Sequence, residues 1–294
     1  MATKPKPDVI QFRTRPIFED EDELPVGLPP VAPPQLSVVR SDAGIDLAKR
    51  AKVWFAIGPG RSGKTMLLRW AAEMSANQGG TPIVAAADPQ NRSLKNYLDN
   101  VAEPPTNDAT ATSRWLEALL RHTMDEKASA LVDLGGGDTA LHKLLAAVPD
   151  LAAALEAAGV APVAVYTLGP RVDDLAALAS FEAFGFKPAA TVLVRNEGLA
   201  DLAADRDDAF ARVLRHSAYK SAVERGAIEV WMPRLDAAVA QAIEAKRVSF
   251  LQARDALSPK GRKVAPFGPF DRTRVRQWLR SMAAEMAPIL SWLP

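Results

Sequence analysis

An apolar run breaks into a glycine-rich turn at Val53-Trp54-Phe55-Ala56-Ile57-Gly58-Pro59-Gly60-Arg61-Ser62-Gly63-Lys64-Thr65. The turn has the spacing Gly-x-x-x-x-Gly-Lys-Thr, whose glycines let backbone N–H groups approach phosphate oxygens. Lys64 would reach the β- and γ-phosphates, and the Thr65 hydroxyl would ligate Mg²⁺. The next residues, Met66 to Ala76, contain no Gly or Pro and predict a helix whose positive dipole end also attracts phosphate. The pattern predicts a P-loop, with a plain glycine turn as the alternative.

A P-loop at this place predicts a set of nucleotide contacts from one short segment, mostly through its backbone N–H groups. These residues are Gly58, Gly60, Arg61, Ser62, Gly63, Lys64, Thr65 and Met66.

Carboxylates follow two further apolar runs. Asp88 ends the run after Thr81 and opens Asp88-Pro89-Gln90, and Asp133 ends Ala130-Leu131-Val132 before three glycines. The carboxyl ends of parallel strands form the ligand crevice, so both should lie beside the P-loop. We predict that Asp133 and Thr65 hold Mg²⁺ and that Asp88 orients or deprotonates water, or holds Mg²⁺ through water. The alternatives are a helix cap at Asp88 and a plain turn after Asp133, with Asp138 as a cap.

A fourth strand end is Thr191-Val192-Leu193-Val194-Arg195-Asn196-Glu197-Gly198. The Asn196 amide both donates and accepts, so it could contact a purine base. The Asn-Lys-x-Asp motif expected of a GTPase is not present in this segment, which disfavours guanine.

Composition and patterning indicate an ordinary globular chain. It has 294 residues, 48% hydrophobic and 24% charged, with a net charge of +1 and no cysteine. The absence of cysteine suits a reducing compartment, and we expect the cytoplasm. Short apolar runs alternate with longer amphipathic segments, which predicts a mainly parallel, doubly wound α/β sheet with helices on both faces. Strands are expected near 53–57, 82–87, 130–134, 162–167, 191–195 and 227–231, and one Ala-rich helix is expected from Leu141 to Ala158.

The chain divides into three predicted parts. Residues 1–48 form a Pro-rich, acidic tail, read either as a disordered spacer or as a segment that docks on a protein partner. Residues 49–246 form the P-loop domain. Residues 247–294 form a basic helical segment packed on that domain.

The C-terminal segment concentrates positive charge. Between Lys246 and Arg280 there are ten Lys or Arg and two Asp. Such a cluster can bind DNA without sequence preference, or it can be a solvated face. Apolar residues recur within it at helical spacing, which suits a membrane-surface helix or, more commonly, packing on its own domain. They are Val275, Leu279, Met282, Met286 and Ile289, with Trp278 and Trp292 nearby.

Taken together, these motifs resemble the ParA/MinD family of P-loop ATPases, in the SIMIBI class. Gly58 to Thr65, Asp88-Pro89-Gln90, Asp133, Arg195-Asn196 and Val230 to Leu235 follow the family's order. The resemblance implies that Asp88 positions the hydrolytic water and that Asn196 contacts adenine. It also implies ATP-dependent dimers that bind DNA or membrane and hydrolyse slowly until a partner stimulates them. The family's second P-loop lysine is replaced by Pro59, which leaves the contact across the dimer without its usual side chain unless Arg61 substitutes.

The sequence therefore predicts an ATP- and Mg²⁺-dependent hydrolase, with Lys64, Asp88 and Asp133 as its catalytic residues. Its nucleotide state would control association with a second copy, with DNA or with a protein partner, for positioning, partition or transfer of a cargo. Asp133 with its glycines and Arg195-Asn196-Glu197 also resemble ParA-like proteins of conjugal transfer regions. The alternatives are a small-molecule P-loop kinase and a transfer-region scaffold with little hydrolysis.

Overall fold

The structure, a computed structural model, describes residues 44–88, 93–98, 100–135 and 139–294. Within these ranges six strands form one sheet, in the spatial order β2-β3-β1-β4-β5-β6. All neighbouring strands are parallel. In chain order they are β1 Ala51–Ile57, β2 Ile83–Ala86, β3 Ala130–Asp133, β4 Val160–Leu168, β5 Ala190–Asn196 and β6 Ile228–Met232. The predicted parallel α/β sheet is confirmed, whereas the predictions for residues 1–43 concern a part of the chain outside the described residues.

Helices connect the strands and cover the sheet. The α-helices are α1 Lys64–Asn77, α2 Ala109–Glu126, α3 Thr139–Ala147, α4 Leu151–Ala157, α5 Ala176–Ala183, α6 Arg206–Arg215, α7 Ser217–Glu224, α8 Ala237–Lys246, α9 Phe250–Asp255 and α10 Pro269–Glu285. Short 3-10 helices lie at Ser93–Asn96, Val172–Leu175, Glu197–Leu199 and Ala287–Trp292. In the described part of the chain, no helix is long and apolar enough to cross a membrane.

The two faces of the sheet carry separate apolar cores. Because side chains alternate along a strand, Val53, Phe55 and Ile57 of β1 enter one cluster, whereas Trp54 and Ala56 enter the other. Every residue of β4 is buried, as expected for a central strand of a parallel sheet covered on both faces.

The single helix predicted from Leu141 to Ala158 is wrong in one respect. It divides into α3 and α4, which are separated by Val148-Pro149-Asp150. Pro149 has no N–H to donate, and it disfavours helical backbone at Val148.

The C-terminal segment belongs to the core that contains Trp54. Val275, Trp278 and Met282 of α10 are buried in that cluster, so the predicted apolar stripe packs on its own domain. The Trp54 indole donates a 2.6 Å hydrogen bond to the carbonyl oxygen of Trp292. This arrangement leaves the stripe with no exposed face for a membrane surface.

A buried charged pair joins α1 to α9. The Glu73 carboxylate accepts hydrogen bonds from the N–H groups of Phe250, at 3.0 Å, and Leu251, at 3.2 Å. Arg69 donates to the Val248 carbonyl oxygen at 3.1 Å and stacks on the Phe250 ring. Burial raises the pKa of Glu73 from 4.5 to about 7, although the two N–H donors and the Arg69 charge lower it.

Glu73 should therefore make stability depend on pH. Below pH 4.5 the Glu73 carboxyl is protonated in both the folded and the unfolded chain. Above pH 4.5 it loses its proton in the unfolded chain, whereas in the folded chain it stays protonated up to about pH 7. Stability from this group is thus complete below pH 4.5 and is lost as pH rises through 7, by roughly 3 kcal/mol. We expect urea unfolding to show this loss in the wild type relative to Glu73→Gln. For the exposed control Glu117→Gln, the free energy of unfolding should depend on pH as it does in the wild type. If Glu73→Gln also shows the wild-type pH dependence, the prediction is wrong.

Candidate functional site

The predicted P-loop connects the end of β1 to the start of α1. Close contacts require glycine at positions 58 and 63, whereas a Cβ atom on Gly60 would meet no atom within 4 Å. A Cβ atom on Gly58 would lie 2.3 Å from Thr167 Oγ1, and one on Gly63 would lie 2.4 Å from Asn196 Nδ2. Gly63 also has φ of +98°, a left-handed conformation that disfavours other residues. Gly60 and Arg61 are exposed at the tip of the loop.

The loop is held from the side by two neighbouring strands. Ser62 Oγ and Thr167 Oγ1, at the end of β4, share a 2.6 Å hydrogen bond. The Ser62 carbonyl oxygen accepts a 2.9 Å bond from Asn196 Nδ2, at the end of β5. All three side chains are buried.

Lys64 is almost enclosed, with 5% of its surface exposed. Its ammonium group donates to the carbonyl oxygens of Gly58, at 2.7 Å, and Pro59, at 3.1 Å. Burial lowers the pKa of Lys64, and the nearby carboxylates of Asp133 and Asp88 oppose that shift. The three predicted catalytic residues therefore lie close enough for their charges to interact.

The two carboxylates come from adjacent strands. Asp133 is opposite Ala56 of β1 and Ala86 of β2 in the sheet register. Its carbonyl oxygen accepts from the N–H groups of Ala87, at 2.9 Å, and Asp88, at 3.2 Å. This contact fixes the start of the segment after β2 against β3. Pro89, Gln90 and residues 136–138, including the proposed cap Asp138, lie outside the described residues.

The chemistry of the predicted Mg²⁺ ligands fits the ion. A threonine hydroxyl and a carboxylate are hard oxygen ligands, which Mg²⁺ prefers. Thr65 lies in the first turn of α1, and the Asp133 carboxylate is 1% exposed beside the same loop. When bound there, Mg²⁺ would neutralise charge on phosphate oxygens.

The Asn196 amide is engaged within the protein. In addition to its bond to Ser62, its oxygen accepts a 2.9 Å hydrogen bond from the Gly198 N–H. The adenine contact that the resemblance implies stays a prediction.

A cleft of about 370 Å³ begins at the residues that follow Asn196 and Met232. Asn196 and Met232 themselves have side-chain atoms beside Gly63, whereas the lining of the cleft does not include the P-loop. One wall is α10, where the Trp278 indole donates to the Pro233 carbonyl oxygen at 2.9 Å. The lining residues are Glu197, Pro233, Arg234, Asp236, Arg274, Gln277, Trp278 and Ser281.

Sequence reasoning missed Thr167 and this cleft. Thr167 had a detectable signal, because it is a polar residue at the end of an apolar strand on the P-loop edge. The contribution of α10 had none, since two helices and a long connection separate it from β6 in the chain and only packing brings it there.

Part of the basic segment is occupied by internal contacts. The Arg262 guanidinium donates to the carbonyl oxygens of Lys246 and Arg247, and Arg272 Nε donates to that of Arg254 at 3.1 Å. Arg276 and Arg280 are exposed on α10.

Comparisons with known proteins give a fold likeness of low similarity. A scan against protein-family models and a search of curated proteins each find no match. Solved structures similar to this chain include chloroplast FtsY from Physcomitrella patens, at 15% identity and a TM-score of 0.43, covering 67% of this chain and 63% of that one. FtsY from Mycoplasma mycoides has 16% identity and a TM-score of 0.39, with 63% and 61% covered. FtsY from Thermotoga maritima has 14% identity and a TM-score of 0.40, with 82% and 73% covered.

The chain thus spans less than two thirds of the length of the first two of these proteins. Its own geometry defines its class: a parallel sheet with a Gly-x-x-x-x-Gly-Lys-Thr loop between β1 and α1, and acidic ends on β3 and just after β2. This is the α/β fold of P-loop NTPases.

The first site prediction concerns phosphate binding. Lys64→Ala should weaken Mg-ATP binding at least a hundredfold, because it removes the buried cation that the motif places on the β- and γ-phosphates. Calorimetry would measure the affinity. Lys52→Ala is the matched control, since Lys52 is also buried and donates to a carbonyl oxygen, that of Leu293. Equal affinity in Lys64→Ala and the wild type would overturn the P-loop assignment.

Proposed function

We propose that the protein is an ATP-binding and ATP-hydrolysing switch of ParA/MinD type. The observation that carries the proposal is the gathering of Lys64, Asp88 and Asp133 at one sheet edge around a P-loop. Lys64 would bind the β- and γ-phosphates, and Asp88 would orient or deprotonate the attacking water. Thr65 and Asp133 would hold Mg²⁺.

The cleft that begins one residue after Asn196 and Met232 is the proposed site for the nucleotide base. Its lining includes the amide of Gln277, which can both donate and accept. The segment after β5, Asn196-Glu197-Gly198, does not carry the lysine and aspartate of a guanine motif. These features favour ATP, and GTP is the competing nucleotide in the experiment below.

The switch would act through partners. In the ATP state we propose a homodimer in which the nucleotide-binding edges of the two copies face each other. Pro59 occupies the position of the family's lysine, and the exposed Arg61 would substitute for it. The basic face of residues 246–280 would bind DNA without sequence preference, and the N-terminal tail would bind a protein. The cytoplasm is the proposed compartment.

Turnover tests the enzymatic part of the proposal. The wild type should release phosphate from ATP without an added acceptor, slowly, and faster with DNA or a partner. Asp88→Ala should keep ATP affinity but lose hydrolysis by about a hundredfold, since it removes the group that aligns water. Asp108→Ala is the control, because Asp108 caps α2 on the surface.

The other outcomes identify other functions. Release that requires a small-molecule acceptor would indicate a kinase, and no turnover under any condition would indicate a scaffold. Greater turnover of GTP than of ATP would contradict the base preference. Wild-type turnover in Asp88→Ala would assign Asp88 to a structural cap.

The basic face generates a separate prediction. Replacing exposed Lys263, Arg276 and Arg280 by Glu should weaken binding to any duplex and reduce the salt slope by about three, because each lost phosphate contact removes about one released counterion. The control variant replaces Arg114, Arg121 and Lys127, on and just after α2, by Glu, which gives the same change in net charge. Fluorescence anisotropy at several salt concentrations would measure both. If the two triple variants behave alike, the charges form a solvated face.

A further inference from the structure

Ser62 is the point at which two strands outside the P-loop hold it. Its hydroxyl is bonded to Thr167 of β4 and its carbonyl oxygen to Asn196 of β5. One contact uses the side chain and the other the backbone, so together they restrict both the position of the residue and the orientation of its peptide group.

The residues that make these contacts are shielded from water. Ser62 is 2% exposed, Thr167 is fully buried and Asn196 is 7% exposed. Hydrogen bonds shielded from water are electrostatically stronger than exposed ones, and breaking one leaves a buried polar group without its partner. Gly58 and Gly63, on either side of Ser62, lie against the same two side chains. The loop therefore has little room to move toward β4 or β5.

A phosphate cradle works only when its N–H groups converge. The peptide groups of the loop must point into one concavity, and each disordered group adds an entropic cost to binding. A Ser62 peptide fixed by Asn196 has its carbonyl directed at the sheet, which turns the N–H on the other side of that peptide, that of Gly63, away from it.

We propose that Thr167 and Asn196 are positioning residues that preset the phosphate-binding shape of the P-loop through Ser62. The proposal rests on the proposed nucleotide binding, and it assigns to Asn196 a role on the phosphate side of the ligand. Their effect should therefore be the same for every ligand that carries the phosphate chain, whatever its base.

Ligands with different bases separate this role from base recognition. Asn196→Asp keeps the shape and the acceptor for Gly198 but replaces the donor to Ser62 by an oxygen. We expect about tenfold weaker binding of Mg-ATP, Mg-GTP and magnesium tripolyphosphate alike. If tripolyphosphate binding is unchanged while ATP binding falls, Asn196 reads the base and the proposal is wrong for this residue.

Thr167→Val tests the other contact, because valine has the same shape without the hydroxyl. Thr167→Val should weaken the binding of all three ligands about tenfold, and Thr167→Ser should bind them as the wild type does. Thr191→Val is the matched control. Thr191 is also a buried strand threonine, but its hydroxyl donates to the Pro188 carbonyl oxygen at 2.7 Å, at the opposite end of β5. It should lower thermal stability to a similar extent and leave the dissociation constants unchanged.

Hydrogen exchange of the ligand-free protein tests the preset shape independently of nucleotide binding. The amides of residues 60–65 should exchange at least tenfold faster in Thr167→Val and Asn196→Asp than in the wild type or Thr191→Val. Unchanged exchange together with unchanged affinity would overturn the proposal. Faster exchange in a protein whose wild type binds none of the ligands would support the positioning role and refute the proposed function.

Discussion

The burial of one ammonium group constrains the whole site. Lys64 is nearly enclosed, and removing its charge from water is costly. The cost is offset by the carbonyl oxygens of Gly58 and Pro59 and by the charges of Asp133 and Asp88. Those groups come from the loop itself, from β3 and from the residue after β2, so the balance exists only when the sheet is assembled. The parallel sheet brings these groups together, because the carboxyl ends of all its strands meet at one edge.

The side of the loop away from the carboxylates is organised differently. There, neutral hydrogen bonds replace charges: Thr167 and Asn196 hold Ser62, and the cleft opens beyond them. The cleft itself is lined by charged residues of both signs, Glu197, Arg234, Asp236 and Arg274. In the proposed function the two sides of the loop bind different parts of the nucleotide. Phosphates would lie toward β3, and a base would lie toward β5 and β6.

The C-terminal segment is a structural part of this arrangement. Helix α10 packs its apolar residues into the core next to Trp54 and forms one wall of the cleft. Helix α1, which starts at the P-loop, is joined to α9 through Glu73 and Arg69. Helices α9 and α10 therefore join the C-terminal segment to α1 and to the cleft.

Local patterns in the sequence determined the strands, the P-loop and its lysine, and the acidic strand ends, because each depends on residues close together in the chain. The break at Pro149 was also encoded locally, although helix propensity concealed it. Tertiary structure decided what each polar side chain contacts. Asn196 has the chemistry to bind a base or a backbone carbonyl, and only the approach of β5 to Gly63 places its amide on Ser62. Likewise, the apolar stripe of α10 could by sequence contact a membrane or a protein core, and in the structure it packs in the core beside Trp54. Hydrophobic burial is nondirectional, so the outcome depends on which apolar surface lies within reach.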